Sequence, residues 1–494
     1  FNIHILLNLN TYYKLVQNAI MYIDFYKNIF LVRGLIMIIT RDKRFYRLLF
    51  SIALPIAVQN LITFMVSMVD TLMVGALGEI QLSAVSIANN LFFVLTILMF
   101  GLAGGSNIMI SQYWGKGNVK TIHKILAIMY RVCLLITGIF IFIALFLPKY
   151  FMGIFTTDKA VIDFGASYLR IVCIGYLFYS ITNCTIMMLR SVKTVSISII
   201  VYTASLVVNS ILNWIFIFGN LGAPELGIRG AAIATVCARI TEFSIVLVFM
   251  FIYERKIGLK IEHLLKLDKE ILKDYVGLCT PVLCNELLWA IGASMISVIV
   301  GRMGTEVVAA NSINGVAHQF VTVFIFGMSN ATAVIIGNTI GEGKKEKAKE
   351  YAYSIGIFSV VMGCISGLMI LLIKPFVVNF YNVSYSTKLI AMEIMTVTSG
   401  IIVFQSLASN FMMGVLRGGG DAKFVLINDL IFMWLVAIPG GFFVAFVLEL
   451  PVALVFLVIK CDEILKSLTS VYRVISGKWV NDVTKDYEFE EVKC

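Results

Sequence analysis

The chain has 494 residues, of which 60% are hydrophobic and only 14% charged, and its mean hydropathy is +0.93. A soluble protein of this length could not cover that much apolar surface, so lipid is the expected solvent. The formal charge of +10 does not point to nucleic acid, because the Lys and Arg sit in loops between apolar segments, as orientation signals do.

Residues 1–46 form an N-terminal segment. Its first 36 residues are rich in Asn and Tyr and start with Phe; the working protein is expected to begin near Met37, with 1–36 an upstream extension. From Arg47 onward twelve apolar spans follow, at about 47–74, 83–113, 122–147, 163–188, 194–218, 227–252, 272–300, 309–340, 348–373, 387–415, 423–447 and 450–474. The division is a first lobe at 47–252, a linker at 253–271, a second lobe at 272–474 and a tail at 475–494. The nine cysteines contain no Cys-x-x-Cys and lie mostly in apolar runs, so they read as packing residues.

Loops on one side hold Arg41, Lys43, Arg44, Lys116, Lys120, Arg190, Lys193, Arg255, Lys256, Lys260, Lys344, Lys345, Lys347, Arg417 and Lys423. The other side holds only Lys149, Lys159, Arg229, Arg302, Lys374 and Lys388. The imbalance predicts that the first set, the linker and both termini face the cytoplasm.

The chain is duplicated. Pro55–Gly117 lies without a gap on Pro281–Gly343, a shift of 226, and Leu189-Arg190 lies on Leu416-Arg417 at a shift of 227. With six spans per half, the two copies share one orientation, so the expected fold is an all-α membrane protein of two six-helix lobes related as parallel repeats.

Polar residues inside apolar spans carry the functional signal, since charge at mid-membrane costs at least about 2.5–3.5 kcal/mol. In span 1, Gln59, Thr63, Ser67 and Asp70 share a face about 80° wide. In span 5, Ser198, Tyr202, Ser205, Asn209 and Asn213 share a similar face. The two stripes line one wet or ion-holding cavity, or else they are hydrogen-bonding glue between helices. Glue is the reading for Ser67, Ser198 and Ser205. Function is the reading for Asp70, because no Lys or Arg in span 1 offers it a local partner. The second half differs, with Ile296, Val436 and Gly440 at the positions equivalent to Asp70, Asn209 and Asn213. Its polar candidates are Glu286, Glu393 and Asp429, with Asn311, Asn314 and His318 at helical spacing in span 8. Glu286 and Asp429 are expected toward the cytoplasmic thirds of their helices, within reach of water. Arg239 and Glu242, three apart, read as a structural ion pair. No Gly-x4-Gly-Lys-Ser/Thr, His-Glu-x-x-His or Gly-x-Ser-x-Gly occurs, which argues against direct ATP coupling and against an intramembrane enzyme.

Pro55-x3-Gln59-Asn60, Val69-Asp70-Thr71, Gly75-x2-Gly78, Gly115-x-Gly117, Gly227-x2-Gly230-Ala231-Ala232 and Leu416-Arg417-Gly418-Gly419-Gly420-Asp421, in this order, resemble the multidrug and toxin extrusion (MATE) family, from about residue 40 to about 475. The resemblance implies two six-helix lobes around a central cavity and export of organic cations or drugs in exchange for Na⁺ or H⁺, without a cofactor. It implies a cation site of Asp70, Asn209, Asn213 and Thr235, where some members carry Asp at the position of Asn213. Na⁺ would sit on Asp70, Asn209 and Asn213. An acid that some members carry in span 10 is replaced by Ser406. Gln59, Asn60, Thr63, Tyr202, Glu286, Asn311, Asn314, His318 and Asp429 are the expected substrate-cavity residues. The partners expected are small organic cations and the lipid of the cytoplasmic membrane, with no nucleic acid and a monomeric protein. A lipid-linked oligosaccharide flippase of the same two-lobe architecture is the first alternative, and a membrane-embedded enzyme the second.

Overall fold

A computed structural model describes residues 40–265 and 268–486. The expected extension at 1–36 lies outside the described residues. Among those described, eleven helices are long and apolar enough to cross a membrane. They are α1 (Lys43–Gly75), α2 (Glu79–Lys116), α3 (Val119–Phe146), α4 (Lys159–Ser191), α5 (Ser196–Phe218), α6 (Ile228–Tyr253), α7 (Lys269–Arg302), α8 (Thr305–Gly341), α9 (Lys345–Phe380), α10 (Tyr385–Leu416) and α11 (Ala422–Phe446). Where one continuous twelfth span was expected at 450–474, two helices stand instead, α12 (Val452–Ile459) and α13 (Cys461–Ile475). The break falls at Lys460, whose ψ of 4° leaves the helical range. α12 is wholly apolar, whereas α13 carries Asp462, Glu463 and Lys466 and needs polar partners.

The duplication is visible in the backbone. Gly78 and Gly304, 226 apart, precede α2 and α8 with φ of 119° and 121°. Gly117 and Gly343 follow the same helices with φ of 77° and 76°. L side chains rarely adopt such angles, so glycine recurs where the turn recurs. α1 and α7 each run unbroken through their proline, Pro55 and Pro281.

Each lobe lends its first helix to the other. α1 packs on α8, and α7 packs on α2. Phe45, Leu49, Ile52 and Ile56 of α1 join a core with Met328, Ile335, Tyr351 and Phe411 of the second lobe. Equivalent glycines make room for this: a Cβ at Gly101 would lie 3.3 Å from the Leu283 backbone, and one at Gly327 would lie 3.2 Å from Ala57. Small residues of this kind let membrane helices approach closely, where packing rather than apolar burial drives association.

α2 and α8 are buried throughout one half and open in the other. Residues 105–113 and 331–340 are buried without interruption. In the opposite halves, Ser86, Asn89, Asn90 and Phe93, and Ser312, Gly315, Gln319 and Phe320, are exposed. The lobes therefore meet at the end that carries Lys116 and Lys344 and part toward the other end.

A strap closes the joined end. Trp479, fully buried, lies against Gly419 and donates Nε1 to the Val474 carbonyl at 3.0 Å. Gln112 of α2 donates to the carbonyls of Gly418 at 3.2 Å and Asn481 at 3.1 Å, and its oxygen accepts from the Val483 N–H at 2.8 Å. Lys485 pairs with Asp274 of α7 at 2.7 Å, and Lys116 with Asp486 at 2.8 Å. The segment after α13 thus touches both lobes at once.

Candidate functional site

The polar stripes of α1 and α5 face each other within the first lobe. Asn213 donates Nδ2 to the Asp70 carboxylate at 2.8 Å and to the Asn209 oxygen at 3.2 Å. Asn209 is also within hydrogen-bonding reach of Asp70. Asn209 and Asn213 are buried, and the Asn213 side-chain oxygen is buried with no donor. Asp70 is half-buried, and among the described residues no Lys or Arg forms an ion pair with it. Thr235 of α6 spends its hydroxyl proton on the Ala231 carbonyl at 3.0 Å and lies beside the Tyr168 hydroxyl, which is itself near Asp70. One carboxylate, two side-chain amides and a hydroxyl thus gather where α1, α5 and α6 meet, with the Asn213 N–H turned to Asp70 and its oxygen left without a donor. Oxygen donors of this kind suit a hard monovalent cation, by analogy with the divalent sites built from them. A lone carboxylate in the same place equally suits a proton.

Several stripe hydroxyls are not interhelical glue. Thr63 donates to the Gln59 carbonyl, Ser67 to that of Thr63, and Ser198 to that of Val195, each within its own segment. The expectation that Ser67 and Ser198 tie helices together is corrected accordingly: a serine on a helix can satisfy itself on the second lone pair of a carbonyl one turn back. Tyr202 and Gln59 are buried, Asn60 is half-buried and Thr63 is exposed.

Two arginines that the polar-stripe reading passed over are central. Arg190 of α4 donates to the Gln59 oxygen at 2.6 Å, and Arg417, the residue that follows α10, donates to the Asn285 oxygen. Gln59 and Asn285 are equivalent by the 226 shift, and the arginines by the 227 shift, so each lobe repeats one bracket. The difference is the neighbour. Asn60 stands where the second lobe has Glu286, and Glu286 forms an ion pair with Arg417 at 2.6 Å. Glu286 is 7% exposed, so water does not reach it freely, contrary to the expectation from its position in the helix.

From Arg417 the polar chain continues. Asn285 donates to Asp429 at 2.6 Å, Asp429 pairs with Lys466 at 2.6 Å, and Lys466 pairs with Asp462 at 2.8 Å. Five charged side chains and one amide thus link α7, the end of α10 at Arg417, α11 and α13. The repeated Leu-Arg and the i, i+4 spacing of Asp462 and Lys466 were the sequence signals for this chain. Elsewhere in the second lobe, His318 is satisfied by Gln405 at 2.8 Å, Asn314 is buried with an unpartnered oxygen, Asn311 is half-buried and Glu393 is exposed. Arg239 and Glu242 make the expected ion pair at 2.7 Å, and the guanidinium lies over the rings of Phe92 and Tyr179.

Comparison with known proteins bears on the family and the fold. The family model described as MatE matches residues 55–215 and 281–443, one match per lobe. A probable multidrug resistance protein NorM of Thermotoga maritima is 26% identical over 436 residues, covering 87% of this chain and 92% of its own. The multidrug resistance protein MdtK of Pectobacterium atrosepticum is 22% identical over 409 residues, covering 81% and 87%. The solved Vibrio cholerae MATE transporter VcmN, in its bent form, superposes with a TM-score of 0.79 at 16% identity, over 88% of this chain and 97% of that one. That likeness is one of fold, a twelve-helix arrangement in two lobes.

Proposed function

This chain belongs to the MatE family, and on that premise we propose that it is a secondary active antiporter that exports organic cations, drugs among them, in exchange for entering Na⁺ or H⁺. The relatives named for multidrug resistance support the class of cargo. The observation that carries the coupling step is the Asp70 carboxylate, bonded by Asn213 and in no ion pair among the described residues, Arg239 being held by Glu242. A charge so placed is costly when bare and is relieved by a cation. Either ion serves: Na⁺ would take Asp70 with the oxygens of Asn209 and Asn213, and a proton would take Asp70 alone. Thr235 completes the same wall.

Alternating access follows from rocking the lobes. The end bearing the basic loops is joined in this structure, and the opposite end is parted. By the distribution of Lys and Arg the joined end is read as the cytoplasmic one, with both termini inside. The proposal places the protein in the cytoplasmic membrane, as a monomer. Substrate would enter between the lobes beside Gln59, Asn60, Thr63 and Tyr202 on one side and Asn311, Asn314 and His318 on the other. Glu286 and Asp429 serve that cavity from behind, through Arg417 and Lys466. The relatives named for multidrug resistance or as a transporter support transport and not catalysis as the reading.

The test is Asp70→Asn in proteoliposomes, with Na⁺ and H⁺ gradients imposed separately and efflux of fluorescent organic cations followed. The variant keeps size and hydrogen bonding and fixes the site as neutral. It should insert normally and lose gradient-driven export. Asn209→Ala should weaken Na⁺ dependence more than H⁺ dependence if the ion is Na⁺, and weaken both alike if it is H⁺. Full gradient-driven export by the Asp70→Asn protein would remove Asp70 from the mechanism.

A further inference from the structure

A groove of about 780 Å³ opens on the flank of the molecule where α1, α5 and α6 reach the basic-loop end. Its walls are apolar: Leu48 and Ile52 from α1, Ile197 and Ile200 from α5, Ile245 and Val248 from α6. Its rim is cationic, with Lys193 and Lys256 both lining it. Among the described residues neither lysine has an ion-pair partner, and Lys256 donates to the Thr194 hydroxyl at 2.9 Å. Glu342, the acid that acts on Lys193, is taken by Lys344 at 2.7 Å, and Glu254, two residues before Lys256, is bonded by the backbone N–H groups of Lys256 and Ile257, each at 2.9 Å. Burial pushes the Lys193 ammonium below its ordinary value, Glu342 draws it up, and Lys256 and Lys344 push it down again.

Lys193 also stands where a lysine is unexpected. Its φ is +61°, and its equivalent in the second lobe, 227 positions on, is Gly420 with φ +84°. One turn geometry thus has the low-strain residue in one copy and a cation in the other. The rim also holds the start of α5, where no side chain caps the helix and where its positive end favours an anion.

Apolar walls at membrane depth, with a cationic rim at the basic interface, match the two ends of one molecule. We propose that this groove holds an anionic phospholipid of the leaflet bordering the basic loops, with its phosphate at Lys193 and Lys256 and an acyl chain along Ile52, Ile200 and Val248. The charge excludes the organic cations proposed as cargo, and the volume falls within the usual range of binding sites, about 300–1,000 Å³. Basic pockets between membrane helices on this side are suited to such headgroups. Because the first half of α1 packs with the second lobe while α5 and α6 belong to the first, the lipid would sit across the seam between lobes.

The experiment is native mass spectrometry of the purified full chain, after equilibration with equal amounts of phosphatidylglycerol and phosphatidylcholine. One phosphatidylglycerol should be retained in preference. Each lysine near a charged surface contributes roughly a fivefold preference, so Lys193→Gln with Lys256→Gln should lower it about twenty-five-fold. Val248→Trp, which keeps both lysines and fills the groove, should also lower retention. Lys345→Gln with Lys423→Gln, exposed cations elsewhere on the same end, should leave it unchanged. Equal retention of the two lipids, an unchanged preference in the Lys193/Lys256 variant, an equal fall in the Lys345/Lys423 variant, or full retention in Val248→Trp would each overturn the proposal.

Discussion

Gly115 and Gly341, equivalent positions of the two lobes, are each pressed against the other lobe's backbone. A Cβ on Gly115 would run into the Asn338 carbonyl oxygen, and one on Gly341 into that of Gln112, and Gln112 and Asn338 are themselves equivalent by the same shift of 226. The joined end is therefore a two-fold contact of backbone on backbone, with no side chain free to yield.

Gly115→Ala or Gly341→Ala should open that contact. Forcing a methyl into such packing costs about 1–3 kcal/mol. In a cysteine-depleted background, a cysteine at buried Ser111 should then react faster with a water-soluble maleimide, and the melting temperature should fall. Unchanged labelling and melting would mean that other contacts hold the end shut.

Arg417 and Glu286 test whether the second lobe's polar chain is structural. Removing one partner of a buried pair costs about 3–5 kcal/mol, because the other charge is stranded. Glu286→Gln and Arg417→Met should each lower the melting temperature in detergent, and the double variant should regain most of the loss. If Glu286→Gln melts like the parent protein and changes only which cations are exported, the carboxylate belongs to substrate and not to Arg417.

The strap makes a graded prediction. Trp479→Ala empties a fully buried site and should cost about 3–5 kcal/mol. Gln112→Ala strands three strap and loop groups, at about 1–3 kcal/mol for each buried group left unsatisfied. Hydrogen exchange of residues 477–486 should quicken in the Gln112 variant while α13 stays protected. Quickening across α13 as well would mean that the strap is only an extension of that helix.

Asp268 gives a pH dependence. Burial would raise its carboxyl, but Lys124 at 2.9 Å and the backbone N–H groups of Ile271 and Glu270 hold it below the ordinary value of 3.8. A depressed value means that the tie between α3 and the start of α7 is fully present above the ordinary carboxylate range and is lost as pH falls through the folded-state value. Melting temperature followed from about pH 5 toward pH 2 should fall less steeply in Asp268→Asn than in the parent. Identical slopes would show that this carboxylate does not contribute to acid sensitivity.

The sequence by itself determined the apolar character of the chain, eleven of the expected spans and the duplication, because these follow from composition and from a period of 3.6. It also placed Arg239 and Glu242 together, since three positions along a helix fix a neighbour. It put Asp70, Asn209 and Asn213 on the inner faces of two helices, and the fold set those faces against each other. Tertiary structure alone decided the rest. Arg417 reaches Glu286 from another helix, Lys466 reaches Asp429 across the break at Lys460, and residues 479–485 reach back to Gln112 and Asp274. Periodicity tells which face of a helix turns inward, but not which helix it meets. In a bilayer, apolar faces do not discriminate among partners, so glycines and a few polar pairs, far apart in the chain, settle the choice.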